Sequence, residues 1–169
     1  QAIETDIGRI GFGICFDLNF ADVMEAWRRQ RPDLFFWPSA FEGGMLLSQW
    51  AVHLNAYVIS STHGEVAAIV DVTGRPLARA RWQHPFVSAT LNLERKLYHW
   101  DTTHVVYARL KRTYGPDVSG DFMVPECRIA LTCEKPGLTL QRLERELNLE
   151  RCGDYLDRAR SLRDAQTHM

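Results

Sequence analysis

Leu34-Phe35-Phe36-Trp37 is a continuously apolar run that ends at Pro38 and follows directly on a helical pattern. Such a run reads as a strand covered on both faces, which is the situation of a parallel strand in an α/β protein. Its flanks agree. Upstream, Arg9–Phe16 reads as a buried strand, and Asn19 with Asp22 three residues on marks a helix start. Val23, Met24, Ala26 and Trp27 continue that helix, Arg28, Arg29 and Arg31 close it, and Pro32 stops it. Downstream, Met45, Leu46, Trp50, Val52 and Leu54 mark a second helix, and Tyr57–Ser61 a further strand. The first sixty or so residues therefore predict β-α-β-α-β with parallel neighbours and right-handed crossovers. Gly11 and Gly13 weaken the first strand unless another backbone or a ligand comes close there.

Beyond residue 65 the rhythm changes. Val66–Val72, Leu77–Trp82 and Phe86–Leu93 read as successive antiparallel strands, with a turn at Thr73-Gly74-Arg75. Tyr98–Pro136 has little pattern. Leu140, Leu143 and Leu147, and then Tyr155, Ala159 and Leu162, have helical spacing and predict two amphipathic helices that dock on another surface.

Twenty Lys plus Arg balance twenty-one Asp plus Glu, a net charge of -1, which removes the electrostatic case for a nucleic acid or an anionic membrane as partner. No apolar run is long enough to span a bilayer. Glu4 and Asp6 lie where a signal peptide would be basic. Four widely spaced cysteines, Cys15, Cys127, Cys133 and Cys152, make no disulfide scaffold, so reduced thiols and a cytoplasmic setting are expected. The last three read as ordinary buried or half-buried thiols.

Cys15 ends a strand just before a turn and a helix. A packed core thiol would sit there, and so would a nucleophile. In the second case the Phe16 N–H is the natural oxyanion donor. Asp17 reads as a structural acceptor of turn N–H groups. Ser39 and Phe41, after the apolar strand, either line a pocket or pack as an ordinary loop. Glu42 is the one nearby carboxylate that could be improvised as a base, although an exposed loop charge is the simpler reading. His53 and His63 read as packing or hydrogen-bonding residues. His99, Asp101 and His104 fit no common metal spacing, so neither metal nor cofactor is expected.

Thr5-Asp6-Ile7-Gly8-Arg9-Ile10-Gly11-Phe12-Gly13-Ile14-Cys15-Phe16-Asp17 resembles the segment around the nucleophile of the nitrilase superfamily, the carbon–nitrogen hydrolases. Further resemblances follow in the family's order: Trp37-Pro38-Ser39-Ala40-Phe41, Trp50-Ala51 leading to Tyr57-Val58-Ile59, the Ile69–Ala78 hairpin, and Ala89–Arg95 as its closing strand. The resemblance implies an α/β fold like half of the family's four-layer α-β-β-α sandwich, with residues 1–95 as the C-terminal part of the hydrolase domain and 96–169 as an extension carrying two helices.

It also implies that Cys15 attacks an amide, in preference to a nitrile, and forms a thioester-type intermediate. The family's base Glu, its Lys and a second Glu lie N-terminal to the cysteine, and fourteen residues precede Cys15 here. The chain thus reads as the C-terminal half of a small-molecule amide or nitrile hydrolase that is complete only in a longer parent and forms a homodimer or other homo-oligomer. Two departures stand out: Leu18-Asn19-Phe20-Ala21-Asp22 lacks the family's Arg, Pro and Glu, and Trp50-Ala51-Val52-His53-Leu54 replaces R-A-x-E-N. The rival reading is a non-catalytic fragment or pseudo-hydrolase that keeps the fold for binding or assembly. A second rival, the family's membrane-embedded lipoprotein acyltransferase branch, conflicts with the polar and charged residues 96–169.

Overall fold

The computed structural model describes residues 1–63 and 66–167. It has two compact units, one over Gln1–Leu93 and one beginning at Glu94. The chain is of the α/β class. Among the described residues no helix is long and apolar enough to cross a membrane.

The first unit is built on a six-stranded sheet in the order β1 (Ile3–Thr5), β2 (Gly8–Phe12), β3 (Leu34–Ser39), β4 (Tyr57–Thr62), β5 (Ala68–Val70) and β6 (Pro76–Arg79). β2, β3 and β4 are parallel neighbours, as the apolar runs predict, and the remaining pairs are antiparallel. Ile10–Leu34–Tyr57 and Gly11–Phe35–Val58 stand side by side across the three central strands. Because side chains alternate along a strand, Gly11, Phe35, Trp37 and Val58 share one face. Onto it pack α1 (Ala21–Arg29) and α2 (Met45–Leu54), through Met24, Trp27, Leu47, Trp50 and Ala51. Gly11 is required by that packing: a Cβ there would stand 2.9 Å from the Phe35 ring and 3.1 Å from Trp27.

Several expectations need correction. Arg9–Phe16 is not one strand. β2 ends at Phe12, after a hairpin with β1, and a 3-10 turn begins at Cys15. Asn19 closes that turn instead of capping the helix. Its side-chain amide donates to the Phe16 carbonyl, and Phe20 occupies the cap position without a side-chain bond. β3 runs through Pro38, whose missing N–H is tolerated beside Ser61. The Phe86–Leu93 strand does not form: among the described residues, the pairing between Arg79 and Arg95 is an isolated bridge, Arg81 with His84. Trp82 and Phe86 there are 78% and 90% exposed, so their strand propensity has no neighbour to act on.

The arginines closing α1 are not all solvated. The Arg28 side chain is 12% exposed and makes a two-pronged ion pair with Glu25, which His53 of α2 also approaches at 3.3 Å. The Arg28 hydrogen bonds, with help from His53, hold the Glu25 carboxyl far below its usual range, against its burial. Since folding lowers it, this contribution is present above the ordinary carboxylate range and is lost only as strong acid protonates the folded carboxyl. Glu25→Gln is therefore expected to cost about 2 kcal/mol near neutral pH. The difference from wild type should shrink in strong acid, which urea unfolding at a series of pH values measures.

The second unit has an antiparallel sheet, β7 (Arg95–His99), β9 (Arg128–Cys133) and β8 (Val118–Met123) in that spatial order. With it pack α3 (Trp100–Tyr114), α4 (Leu140–Leu147) and α5 (Cys152–Thr167). Tyr98, Leu110, Ile129, Leu131, Leu140 and Leu143 form its core. The poorly patterned Tyr98–Pro136 thus holds a fifteen-residue helix and two strands. Both predicted C-terminal helices form, but along α5 the seam is exposed: Leu162 is 60% accessible. Cys127 is exposed, not buried, at a left-handed residue with φ of 52°.

Candidate active site

The sheet places Cys15 where a strand gives way to a turn. The Gly13 N–H still donates to the Phe36 carbonyl of β3 at 3.0 Å, and two residues later the chain has left the sheet. Cys15 has φ of 46°, a left-handed conformation that costs an L-residue roughly 1–2 kcal/mol. The turn is held in that state from three sides. Asp17 accepts the Ile14 N–H at 2.9 Å, the role its position predicts, and the Asp17 N–H returns to the Ile14 carbonyl at 3.0 Å. The Trp37 indole N–H donates to the Cys15 carbonyl and the Trp50 indole N–H to the Leu18 carbonyl, each at 3.0 Å. Two buried indoles, one on β3 and one on α2, thus fasten the turn to the core.

The Cys15 thiol is half-buried. The Ala40 N–H first, and then the Ser39 hydroxyl and the Phe16 N–H, favour the charged form and hold the thiol below its usual range. Burial and the Asp17 charge push the other way. Hydrogen bonding to the charged form favours ionisation, so the site enriches the thiolate, the nucleophilic state. The buried thiols behave oppositely: burial pushes Cys133 up to about 12 and raises Cys152 as well.

Of the residues singled out in the sequence, Cys15, the Phe16 N–H and Ser39 are brought together. Phe41 turns its ring edge-on to Trp37 at 5.0 Å and packs on the core. Glu42 is exposed and lines a small cavity with Leu47, Ala68, Val70 and Arg79, while His63 is exposed. In the second unit His99 stacks on Tyr155 at 3.7 Å and His104 Nδ1 lies 2.7 Å from the Trp100 carbonyl. Among the described residues no three His, Cys, Asp or Glu side chains gather so as to hold a metal ion. The Ala40 N–H is a contributor that residue types could not reveal, since any non-proline backbone offers the same donor.

No protein-family model matches the chain. The chain is 31% identical over 87 residues to the nitrilase and fragile histidine triad fusion protein NitFhit of Drosophila melanogaster, a match covering 52% of this chain and 19% of that protein. It is 28% identical over 81 residues to the deaminated glutathione amidase of Yersinia enterocolitica, covering 48% and 28% respectively. These matches support a nitrilase-superfamily segment in this chain. A crystal structure of a Saccharomyces cerevisiae member of branch 10 of the superfamily aligns at 21% identity and TM-score 0.42, over 50% of this chain and 42% of its own. The chain spans between a fifth and just over a quarter of the length of these curated relatives.

Proposed function

We propose that this chain is the nucleophile-bearing part of a carbon–nitrogen hydrolase that acts on a small amide, in preference to a nitrile. The observation that carries the reading is Cys15 itself, set on a left-handed turn at a strand end, its carbonyl held by the Trp37 indole and its thiol held below the usual range. In this reading the thiolate attacks the amide carbonyl carbon, and the carbonyl electron pair moves onto oxygen, where the Phe16 N–H receives it. Collapse of the tetrahedral adduct expels the amine, which takes up the proton that a general base had drawn from the Cys15 thiol, and leaves a thioester on Cys15. Water then adds to the thioester, and its collapse releases the carboxylic acid and restores the thiol.

By the family resemblance the general base and the cation that holds the oxyanion belong to sequence N-terminal to the cysteine. The activity is therefore assigned to a longer protein, and residues 1–169 alone are expected to be silent. General acid–base assistance alone is worth roughly 10²–10⁴-fold. Residues 1–95 would be the hydrolase part and 96–169 an extension available for a subunit interface, in a cytoplasmic homo-oligomer.

Cys15→Ala in the longer protein tests the assignment. Turnover of simple amides should fall on the order of 10⁴-fold or more, with the circular dichroism spectrum unchanged. Cys127→Ala, Cys133→Ala and Cys152→Ala should leave turnover largely intact. Turnover that survives Cys15→Ala would overturn the reading.

A further inference from the structure

Resting on the reading of Cys15 as the nucleophile, we propose that Trp37 is a positioning residue for the oxyanion donor: its indole N–H holds the Cys15 carbonyl and thereby aims the Phe16 N–H of the same peptide unit. The holding bond is 3.0 Å long. A peptide unit is planar and trans, so its C=O and N–H point in opposite directions. The Cys15 carbonyl faces the indole of Trp37, which is fully buried in the core. The Phe16 N–H therefore faces away from that ring. It stands in the first turn of the 3-10 segment Cys15–Asn19, where N–H groups have no acceptor within the helix. An N–H without a helical partner, held in a fixed direction, is what a developing oxyanion requires.

The peptides on either side are tied inside the turn: Asp17 holds the Ile14 N–H at 2.9 Å, and the Asn19 amide holds the Phe16 carbonyl at 3.1 Å. The Cys15–Phe16 peptide between them is fastened from the sheet, by β3. The anchor itself has little room to turn. The Phe41 ring lies edge-on to Trp37 at 5.0 Å, and a Cβ at Gly43 would stand 2.9 Å from the indole. A buried indole needs an acceptor for its one N–H, and many carbonyls would serve. This one carries the oxyanion donor at the other end of its peptide.

The test uses trifluoroacetone and the full 169-residue chain. The thiol adds across the ketone: the S–C bond forms, the carbonyl π pair moves to oxygen, and the thiol proton joins it there. The trifluoromethyl group makes the new hydroxyl acidic, so fluorine NMR against pH reads where the adduct oxygen becomes an anion, with no general base required. In wild type the Cys15 adduct should ionise about one pH unit below the adduct at exposed Cys127, the internal reference. Trp37→Phe, which keeps an apolar ring and loses the donor, should remove most of that difference. Trp50→Phe loses a buried donor to a different peptide, at Leu18, and should remove much less. In wild type the Trp37 indole proton should also move downfield through the same midpoint, because hydrogen bonds in a chain polarise one another. The Trp50 indole proton should not follow. An unshifted Cys15 midpoint in Trp37→Phe, or an equal shift in Trp50→Phe, would overturn the proposal. Should Trp37→Phe fail to fold, the wild-type indole decides, and a Trp37 proton that stays in place overturns it. A wild-type Cys15 adduct that ionises together with that of Cys127 would overturn the oxyanion reading and the proposal with it, so the two failures are distinguishable.

Discussion

Trp50→Ala is expected to destabilise the chain by about 4 kcal/mol, within the 3–5 kcal/mol range for removing a buried aromatic. Trp50 is 1% exposed, lies 5.0 Å from the Phe35 ring and touches the core that both helices form on the sheet. Its truncation leaves a cavity under α2 and strips the Leu18 carbonyl of its indole donor at once. A loss of this size is a large share of the stability of a typical domain. Urea unfolding followed by far-ultraviolet circular dichroism measures it. Trp50→Phe separates the two effects, since most of the apolar volume remains and the indole N–H is gone. It should cost about half as much or less, and Cys15 alkylation should respond because the turn has lost one of its anchors.

The second large effect lies in the other unit. Glu144→Ala is expected to cost about 3 kcal/mol, because it removes one carboxylate on which two buried or half-buried donors depend. Tyr98 is fully buried and its hydroxyl donates to Glu144 at 2.7 Å, while Arg151 donates to the same carboxylate at 2.5 Å. Burial first, and then the Glu144 charge, push the Tyr98 hydroxyl well above its usual range, so it stays a neutral donor. Without Glu144 both donors lose this acceptor. Tyr98→Phe removes only one donor and should cost about 1 kcal/mol. The double variant should cost less than the sum of the two, which a double-mutant cycle in urea would read as coupling. Strict additivity would mean that the two groups do not act as a unit.

The parts legible in the sequence were those where burial and period coincide. Leu34–Trp37 and Tyr57–Ile59 are apolar on both faces, so parallel central strands could be read from them with the two intervening helices. Phe86–Leu93 has strand-like residues but no partner strand, and propensity alone does not make a ladder. α3 was hidden for the opposite reason. Its start, Trp100-Asp101-Thr102-Thr103-His104-Val105, consists of weak helix formers, and packing of Thr103, Val106, Tyr107 and Leu110 decides the outcome. That i, i+3, i+4, i+7 spacing was present in the sequence. At the candidate site the thiol could be singled out, because a strand end before a turn is a local pattern. The Ala40 N–H could not be placed there, because the end of β3 comes beside Cys15 only through the parallel pairing of β2 with β3.

The left-handed backbone at residue 15 sets durability against chemistry at a single position. Judged by conformational fit alone, that residue should be glycine or asparagine, and cysteine is a poor choice. A programme of stabilising substitutions guided by backbone fit would therefore erase the thiol early, and a descendant freed from the need for it would be expected to drift toward glycine there. The same geometry restricts which nucleophiles could ever replace it. Threonine, branched at Cβ, is barred, and serine is the nearest side chain the turn would accept. The Trp37 indole and the Asp17 carboxylate thus do more than decorate the turn: they let the fold tolerate a residue that its own backbone would reject.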